Sequence, residues 1–272
     1  EADTRKLAEL MVGRDIDLSP RRSRVAAQET LLQLDKVGLT KDGIERIANI
    51  SLSVRAGEIV GIAGVSGNGQ RELAEIVAGL QAPTSGEILI NSVRVNGMGT
   101  RHVRKAGLAY VPEDRLGTGL APSLSIVDNL VLTRDRGFLV DRKSALAEAE
   151  AFIKQLEIKT PHAHTATRKL SGGNSQKVLL AREIFAAGDH SRVLVVCSPT
   201  RGLDVGAVEA VHKLLDEARS AGKAVLLISE DLDEVLTLAD KVLVLYRGSV
   251  VHEVAGTEVD VEAVGLAMAG LS

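Results

Sequence analysis

From Thr30 onward the apolar positions alternate between two periods. Leu31-Leu32-Gln33-Leu34, Ile50-Ser51-Leu52-Ser53-Val54 and Glu58-Ile59-Val60-Gly61-Ile62-Ala63 have the short, β-rich character of strands, and they predict two edge strands leading into a buried one. Directly after the glycines that follow, Leu73, Ile76, Val77 and Leu80 share one face of a helix predicted over 72–80. Strands are predicted at 87–95 and 107–111, then a mainly helical block over 125–187 broken by a loop at 160–169. Continuous apolar runs return at 193–196, 225–228 and 242–246, separated by helical stretches at 207–221 and 232–239. Strands alternating with helices predict an α/β fold with a mainly parallel sheet covered on both faces, and the helical block reads as an insertion. Ahead of this, residues 1–27 hold a short helical patch, Leu7, Leu10 and Met11, then Arg21-Arg22-Ser23-Arg24, the pattern of a linker before a domain over 28–272.

Composition narrows the classes. At 272 residues with 45% hydrophobic and 25% charged residues the chain is long enough for a large core and does not resemble a disordered one. The 33 basic and 36 acidic side chains leave a net charge of −3, which offers no general attraction to nucleic acid, and aromatics at 2% with no Trp leave few platforms for stacking bases. A lone Cys197 excludes an internal disulfide and a multi-thiolate zinc site and points to a reducing compartment, the cytoplasm. Runs such as Val193 to Cys197 fall far short of the roughly 20 apolar residues of a spanning helix. The chain begins at Glu1 without an initiator Met, so it is expected to be part of a longer polypeptide.

The candidate chemistry starts at Gly64-Val65-Ser66-Gly67-Asn68-Gly69-Gln70-Arg71. These residues have the spacing of G-x-x-x-x-G-K-[ST], in which backbone N–H groups and a helix N-terminus surround phosphates, Lys reaches the β and γ oxygens and a hydroxyl ligates magnesium. Here Gln70 is uncharged and the guanidinium of Arg71 has only donors, so neither can supply that chemistry and magnesium nucleotide is expected to bind poorly. Taken alone, the glycines are equally compatible with a tight turn. A dinucleotide-binding reading fits worse, because Glu72 stands where a third glycine is required.

Leu170-Ser171-Gly172-Gly173-Asn174-Ser175-Gln176-Lys177 is far more specific. It resembles the signature of ATP-binding-cassette (ABC) ATPases, and the resemblance extends in order over Thr30 to Tyr246. It implies a P-loop NTPase (RecA-like) sheet core with an antiparallel β edge and an inserted helical subdomain, about 113–187. Where the family has a magnesium-supporting Asp and then a catalytic Glu, this chain has Cys197 and Ser198; Glu230 replaces the switch histidine and Glu113 the glutamine of the preceding loop. Gly202-Leu203-Asp204 resembles the loop through which two cassettes communicate. Family cassettes work head to tail, so the resemblance implies that Leu170, Ser171, Gly172, Gly173 and Asn174 contact the ATP of a partner cassette, whose own site holds the Mg2+. This chain's own site would have lost hydrolysis.

Leu10-Met11-Val12-Gly13-Arg14, Tyr110-Val111-Pro112-Glu113-Asp114-Arg115, Asn174 and Pro199 to Ala207 together look like the second, C-terminal cassette of bacterial tandem importers for simple sugars and nucleosides. That resemblance implies an N-terminal cassette in the same polypeptide, transmembrane permease subunits and, indirectly, a solute-binding protein as partners, no nucleic acid, and a peripheral place on the cytoplasmic face of the membrane. The two other readings are an ATPase using Glu113 or Glu230 in unusual roles and a soluble cassette outside transport. His162 and His164 lack a third ligand nearby in sequence, so no metal site is expected, and Arg101, Arg104 and Lys105 read as a solvated helix face. Glu230, Asp231, Asp233 and Glu234 read as the acidic start of a helix.

Overall fold

The computed structural model describes residues 29–134, 141–186, 190–255 and 260–271. The expected linker at 1–27, and Ala187 at the end of the helical block, lie outside the described residues. Among the described residues the chain divides into two units, one of 29–110, 190–198 and 216–271, the other of 111–186 and 199–215.

The first unit holds the sheets. Strands β1 (Thr30–Lys41) and β2 (Ile44–Arg55) form an antiparallel hairpin, followed by β3 (Ile59–Ala63), helix α1 (Gln70–Val77), β4 (Ser85–Ile90), β5 (Val93–Arg94), helix α2 (Gly99–Lys105) and β6 (Leu108–Val111). The hairpin turns on Asp42-Gly43 with φ of 53° and 75°, the two left-handed residues of a type I′ turn, whose twist matches that of the strands. A four-stranded antiparallel sheet runs β2-β1-β4-β5, so β1 is an inner strand and only β2 of the pair lies at an edge. This corrects the expectation of two edge strands. Register shifts between Leu34 and Val37 and again before Leu39 break the alternation, so the buried Val37 and Leu39 fall outside the run that the period of two picks out.

The second sheet adds β7 (Val193–Cys197), β8 (Ala224–Ser229), β9 (Lys241–Tyr246) and β10 (Ser249–Ala255) in the order β10-β9-β3-β8-β7-β6. Its centre is parallel: β3 pairs with β8 and β9, and β7 with β8, while β10 returns antiparallel to β9. Every residue of β3, β7 and β8 is buried, as expected of parallel strands covered on both faces. One core joins the two sheets through Leu32, Ile47, Ile62, Leu73, Val195 and Leu226.

Helix α1 ends at Val77 rather than Leu80, and Leu80 is exposed. Gly79 at φ 73° takes the left-handed cap, with Gly79 N–H on the Ile76 carbonyl at 3.0 Å and Leu80 N–H on the Glu75 carbonyl at 2.8 Å, and this turns Leu80 off the apolar face.

The second unit is helical. It contains a π-turn over Arg115–Gly119, then α3 (Ile126–Val131), α4 (Arg142–Gln155), a 3-10 turn over Thr167–Lys169, α5 (Gly172–Leu180), a second π-turn over Ala181–Ala186 and the first part of α6 (Val205–Ser220). The fully buried Asn129 holds its loops together: its side-chain amide donates to the Ala121 and Ser125 carbonyls, both at 3.0 Å, and accepts from Ala121 N–H at 2.8 Å. The segment carrying His162 and His164 is tied down by Ile126 N–H on the Thr165 carbonyl at 3.1 Å and Thr167 N–H on the Leu124 carbonyl at 3.0 Å. The remaining helices, α7 (Leu232–Leu238) and α8 (Val261–Met268), belong to the sheet unit. Among the described residues no helix is long and apolar enough to cross a membrane.

Candidate functional site

Because β3, β8 and β7 are parallel neighbours, with Ala63 opposite Ser229 and Ile228 opposite Cys197, their C-terminal ends meet at one edge of the sheet. That edge gathers the glycine loop 64–71, Glu230 and the pair Cys197-Ser198, the position where open α/β sheets bind ligands. Glu113, the signature residues and Gly202 to Asp204 belong to the other unit.

The glycine loop is closed by its own side chain. Gln70 is 8% exposed and folds back into the loop, where its Oε1 accepts from Asn68 N–H at 3.1 Å and its Nε2 donates to the Val65 carbonyl at 2.9 Å. Asn68 braces the same turn, donating from Nδ2 to the Val65 carbonyl at 3.0 Å and accepting Arg247 N–H on Oδ1 at 2.9 Å. Arg71 lies outside: its exposed guanidinium pairs with Glu75 one turn along α1 at 2.7 Å, and that hydrogen bond raises its pKa. Val65, Ser66 and Gly67 form the exposed rim, and Gly64 and Gly69 are buried at the base.

At the end of β7 the Cys197 thiol is neutral. Burial pushes it up to about 12, outweighing the hydrogen bond from the Tyr110 hydroxyl, which acts the other way. Burial likewise raises Tyr110, helped by the neighbouring sulfur. Ser198 has φ 40°, a left-handed conformation unusual for a residue with a side chain, and its N–H continues the ladder onto the Ile228 carbonyl at 2.8 Å. After β8, Ser229 Oγ donates to the buried Glu234 at 2.6 Å and accepts Asp231 N–H at 3.1 Å. Asp231 caps α7 through Asp233 N–H at 3.0 Å and Glu234 N–H at 3.2 Å, so the acidic run is a helix start, and Glu230 is exposed beside it.

In the helical unit the signature begins α5. Ser171 is its N-cap, accepting on Oγ from Asn174 N–H at 3.4 Å and from Asn174 Nδ2 at 2.8 Å, while Asn174 Oδ1 accepts Lys159 N–H at 2.8 Å. Ser171 and Gly172 are exposed, and the first N–H groups of a helix have no partner within it, which makes this end a receptor for anionic oxygen. A Cβ on Gly173 would stand 2.8 Å from the Ala207 side chain, so the signature helix runs against the start of α6. Asp204 caps α6, accepting Ala207 N–H at 2.9 Å. Leu170, which leads into the signature, is half-buried.

The family description for "ABC transporter" matches residues 47–200 of this chain. The chain belongs to the ABC transporter family. A glucose import ATP-binding protein of Haloferax volcanii is 42% identical to this ABC chain over 97% of its length and 49% of the relative's. A guanosine import ATP-binding protein of Bacillus subtilis is 40% identical over 97% of the chain and 53% of the relative. The chain thus spans about half the length of the curated relatives it matches. A dimeric ATP-binding cassette solved with ADP and Pi superposes with a TM-score of 0.71 at 24% identity, covering 84% of this chain and all of that one, and carries the same fold.

Three residues that touch these motifs were not assigned a role from sequence. Tyr110 caps the Cys197 sulfur, Arg115 reaches across the signature, and Arg201 pairs with Glu113. Tyr110 and Arg115 flank Glu113 in the string already singled out, yet their partners lie far along the chain and no spacing rule joins them.

Proposed function

We propose that this ABC chain is the second cassette of a bacterial tandem ATPase for sugar or nucleoside import, with a hydrolysis-deficient site of its own and a signature that completes its partner's. The observation that carries the reading is the Gln70 amide inside the glycine loop, where it uses the Asn68 N–H that a phosphate would need. The residues around the loop do not fit a magnesium triphosphate. Gln70 is neutral, Arg71 is held away by Glu75, Cys197 carries no charge at neutral pH, and Ser198 is not basic enough to activate water. Glu113 is ion-paired with Arg201, which disfavours it as a substitute base, and Glu230 is exposed to solvent.

The signature makes a different demand. Its helix N-terminus, capped by Ser171, offers N–H groups to a partner's phosphate without requiring a base or a metal from this chain. On this reading residues 28–272 form one nucleotide-binding domain with a helical subdomain at about 113–187, and 1–27 link it to an N-terminal cassette that carries the full ATP and Mg2+ chemistry. Closure of the pair would be passed to transmembrane permease subunits at the cytoplasmic face, with a solute-binding protein upstream. The import functions of the relatives, and the half of their length that this chain spans, support the assignment.

The test is calorimetric titration of the chain with ATP at millimolar concentration, with and without magnesium, while released phosphate is assayed in the same samples. Weak, magnesium-independent binding without phosphate release is expected. Tight magnesium-dependent binding with turnover overturns the reading.

A further inference from the structure

The signature and the Gly202-Leu203-Asp204 loop are separate in sequence, yet one side chain touches both. Arg115 donates from Nη2 to the Arg201 carbonyl at 2.8 Å, and its Nη1 lies 3.5 Å from the Gly172 carbonyl. The same guanidinium stands 3.4 Å from where a Cβ on Gly172 would be and 3.7 Å from the corresponding position on Gly202. Arg201 is in turn ion-paired with Glu113, two residues before Arg115, so both ends of the bridge are fastened to the same short segment.

That segment is itself anchored in the interior. Arg115 opens the π-turn Arg115–Gly119, which Asp114 caps by accepting Gly117 N–H at 2.8 Å. At the far end of the turn the Gly119 carbonyl accepts Arg182 Nη2 at 2.6 Å, and Arg182 pairs with the fully buried Glu183 at 2.7 Å. Arg182 and Glu183 lie on the second π-turn, which continues α5, the helix that the signature begins. The contacts therefore form a closed path: signature helix, buried ion pair, π-turn, Arg115, and back to the signature and the adjacent loop. A planar guanidinium presents its donors in a fixed fork and can hold two carbonyls at a set spacing, whereas the three donors of an ammonium diverge from a single atom.

We propose that Arg115 is a positioning residue that ties the start of the signature helix to the Arg201-to-Asp204 loop, so that both are presented to the partner cassette's nucleotide as one prearranged surface. The inference rests on the proposed trans role of the signature. Loss of the bridge leaves the two elements to be ordered at the moment of binding, a cost that appears in affinity.

The test uses the full polypeptide containing this chain, assembled with its permease, and compares the parent with Arg115→Met and Arg115→Lys. Amide hydrogen exchange is followed at 170–174, at 201–204 and, as a control for folding, in α3. The expected result is faster exchange at both sites in Arg115→Met with α3 unchanged. The KM for MgATP should rise about tenfold, as expected for losing a charge-assisted hydrogen bond, with a smaller change in kcat, and Arg115→Lys should fall between the two. Unchanged exchange at either site, acceleration that extends to α3, or an unchanged KM overturns the proposal. Gly172→Asp separates the two levels of the argument. Turnover that survives it defeats the trans-signature reading, whereas turnover lost in Gly172→Asp with Arg115→Met behaving as the parent defeats only the positioning role.

Discussion

Replacing Gln70 with Ala should make the glycine loop bind ATP more tightly, an unusual direction for deleting a polar side chain from a nucleotide-binding motif. In the parent, any phosphate entering the loop must first displace the Gln70 amide from Asn68 N–H and the Val65 carbonyl, at 3.1 and 2.9 Å. A neutral hydrogen bond contributes a net of about 0.5–1.5 kcal/mol, so two of them place a barrier of about 1–3 kcal/mol in front of the ligand. At about 1.4 kcal/mol per factor of ten, the truncation should improve affinity between about 5-fold and about 150-fold. The loop should keep its shape, because Asn68 still bridges Val65 and Arg247 at 3.0 and 2.9 Å. Titration with ATP in EDTA, repeated with magnesium, reads the effect. Because Arg71 still stands in place of the magnesium-binding hydroxyl and Cys197 and Ser198 in place of carboxylates, magnesium should add little and phosphate release should remain absent. Gln70→Glu, which would put a negative charge into the same space, should bind more weakly than the parent. An unchanged or weaker affinity in Gln70→Ala, in protein that keeps the parent's melting temperature, would refute the claim that the amide blocks the loop.

Three further outcomes are expected of buried side chains. The folded pKa of Cys197, about 12, lies above its ordinary value of 9.0, so its contribution is intact below pH 9 and is lost as pH rises toward 12. Urea unfolding at pH 8 and 10.5 should show the parent losing about 2 kcal/mol more than Cys197→Ala, and equal losses would count against a neutral buried thiol. Asn129→Ala deletes a fully buried amide with several backbone partners and should destabilise the helical unit by about 2–4 kcal/mol, read as a fall in melting temperature; a surface-like change below 0.5 kcal/mol would contradict its role. Arg182→Met removes the guanidinium beside fully buried Glu183 and should cost about 3–5 kcal/mol in denaturant unfolding, whereas Arg182→Met with Glu183→Leu should recover most of it; failure to recover would mean that the pair is not the source of the loss.

Much of the layout was legible because it depends on local periodicity. The runs at 193–196 and 225–228 are continuously apolar since both faces of a central parallel strand are covered, and the structure places them side by side, with β8 next to β3. The acidic run from Glu230 announced a helix start because carboxylates favour the positive end of the helix dipole, and in the structure Asp231 caps α7. Two local cues were available and carried more than was drawn from them: Asp42-Gly43 marks a two-residue hairpin, and Gly79 marks the end of α1, which removes Leu80 from the buried face. The inner position of β1 was not legible, since strand order depends on pairings between distant segments and the register shifts in β1 mask its alternation.

The candidate site divides in the same way. Residue chemistry alone established that Gln70 and Arg71 cannot reproduce a Lys and a magnesium-binding hydroxyl, and that Cys197 and Ser198 are not carboxylates, because these are properties of side chains wherever they are placed. Tertiary structure decided what those side chains do instead. Gln70 turns inward onto its own loop and Arg71 outward onto Glu75, Tyr110 meets Cys197 from another strand, and Arg115 reaches carbonyls 57 and 86 residues further along the chain. Such partnerships depend on distances that the chain acquires only when the sheets, helices and turns have packed. The sequence determined which chemistry was available, and packing determined which groups meet.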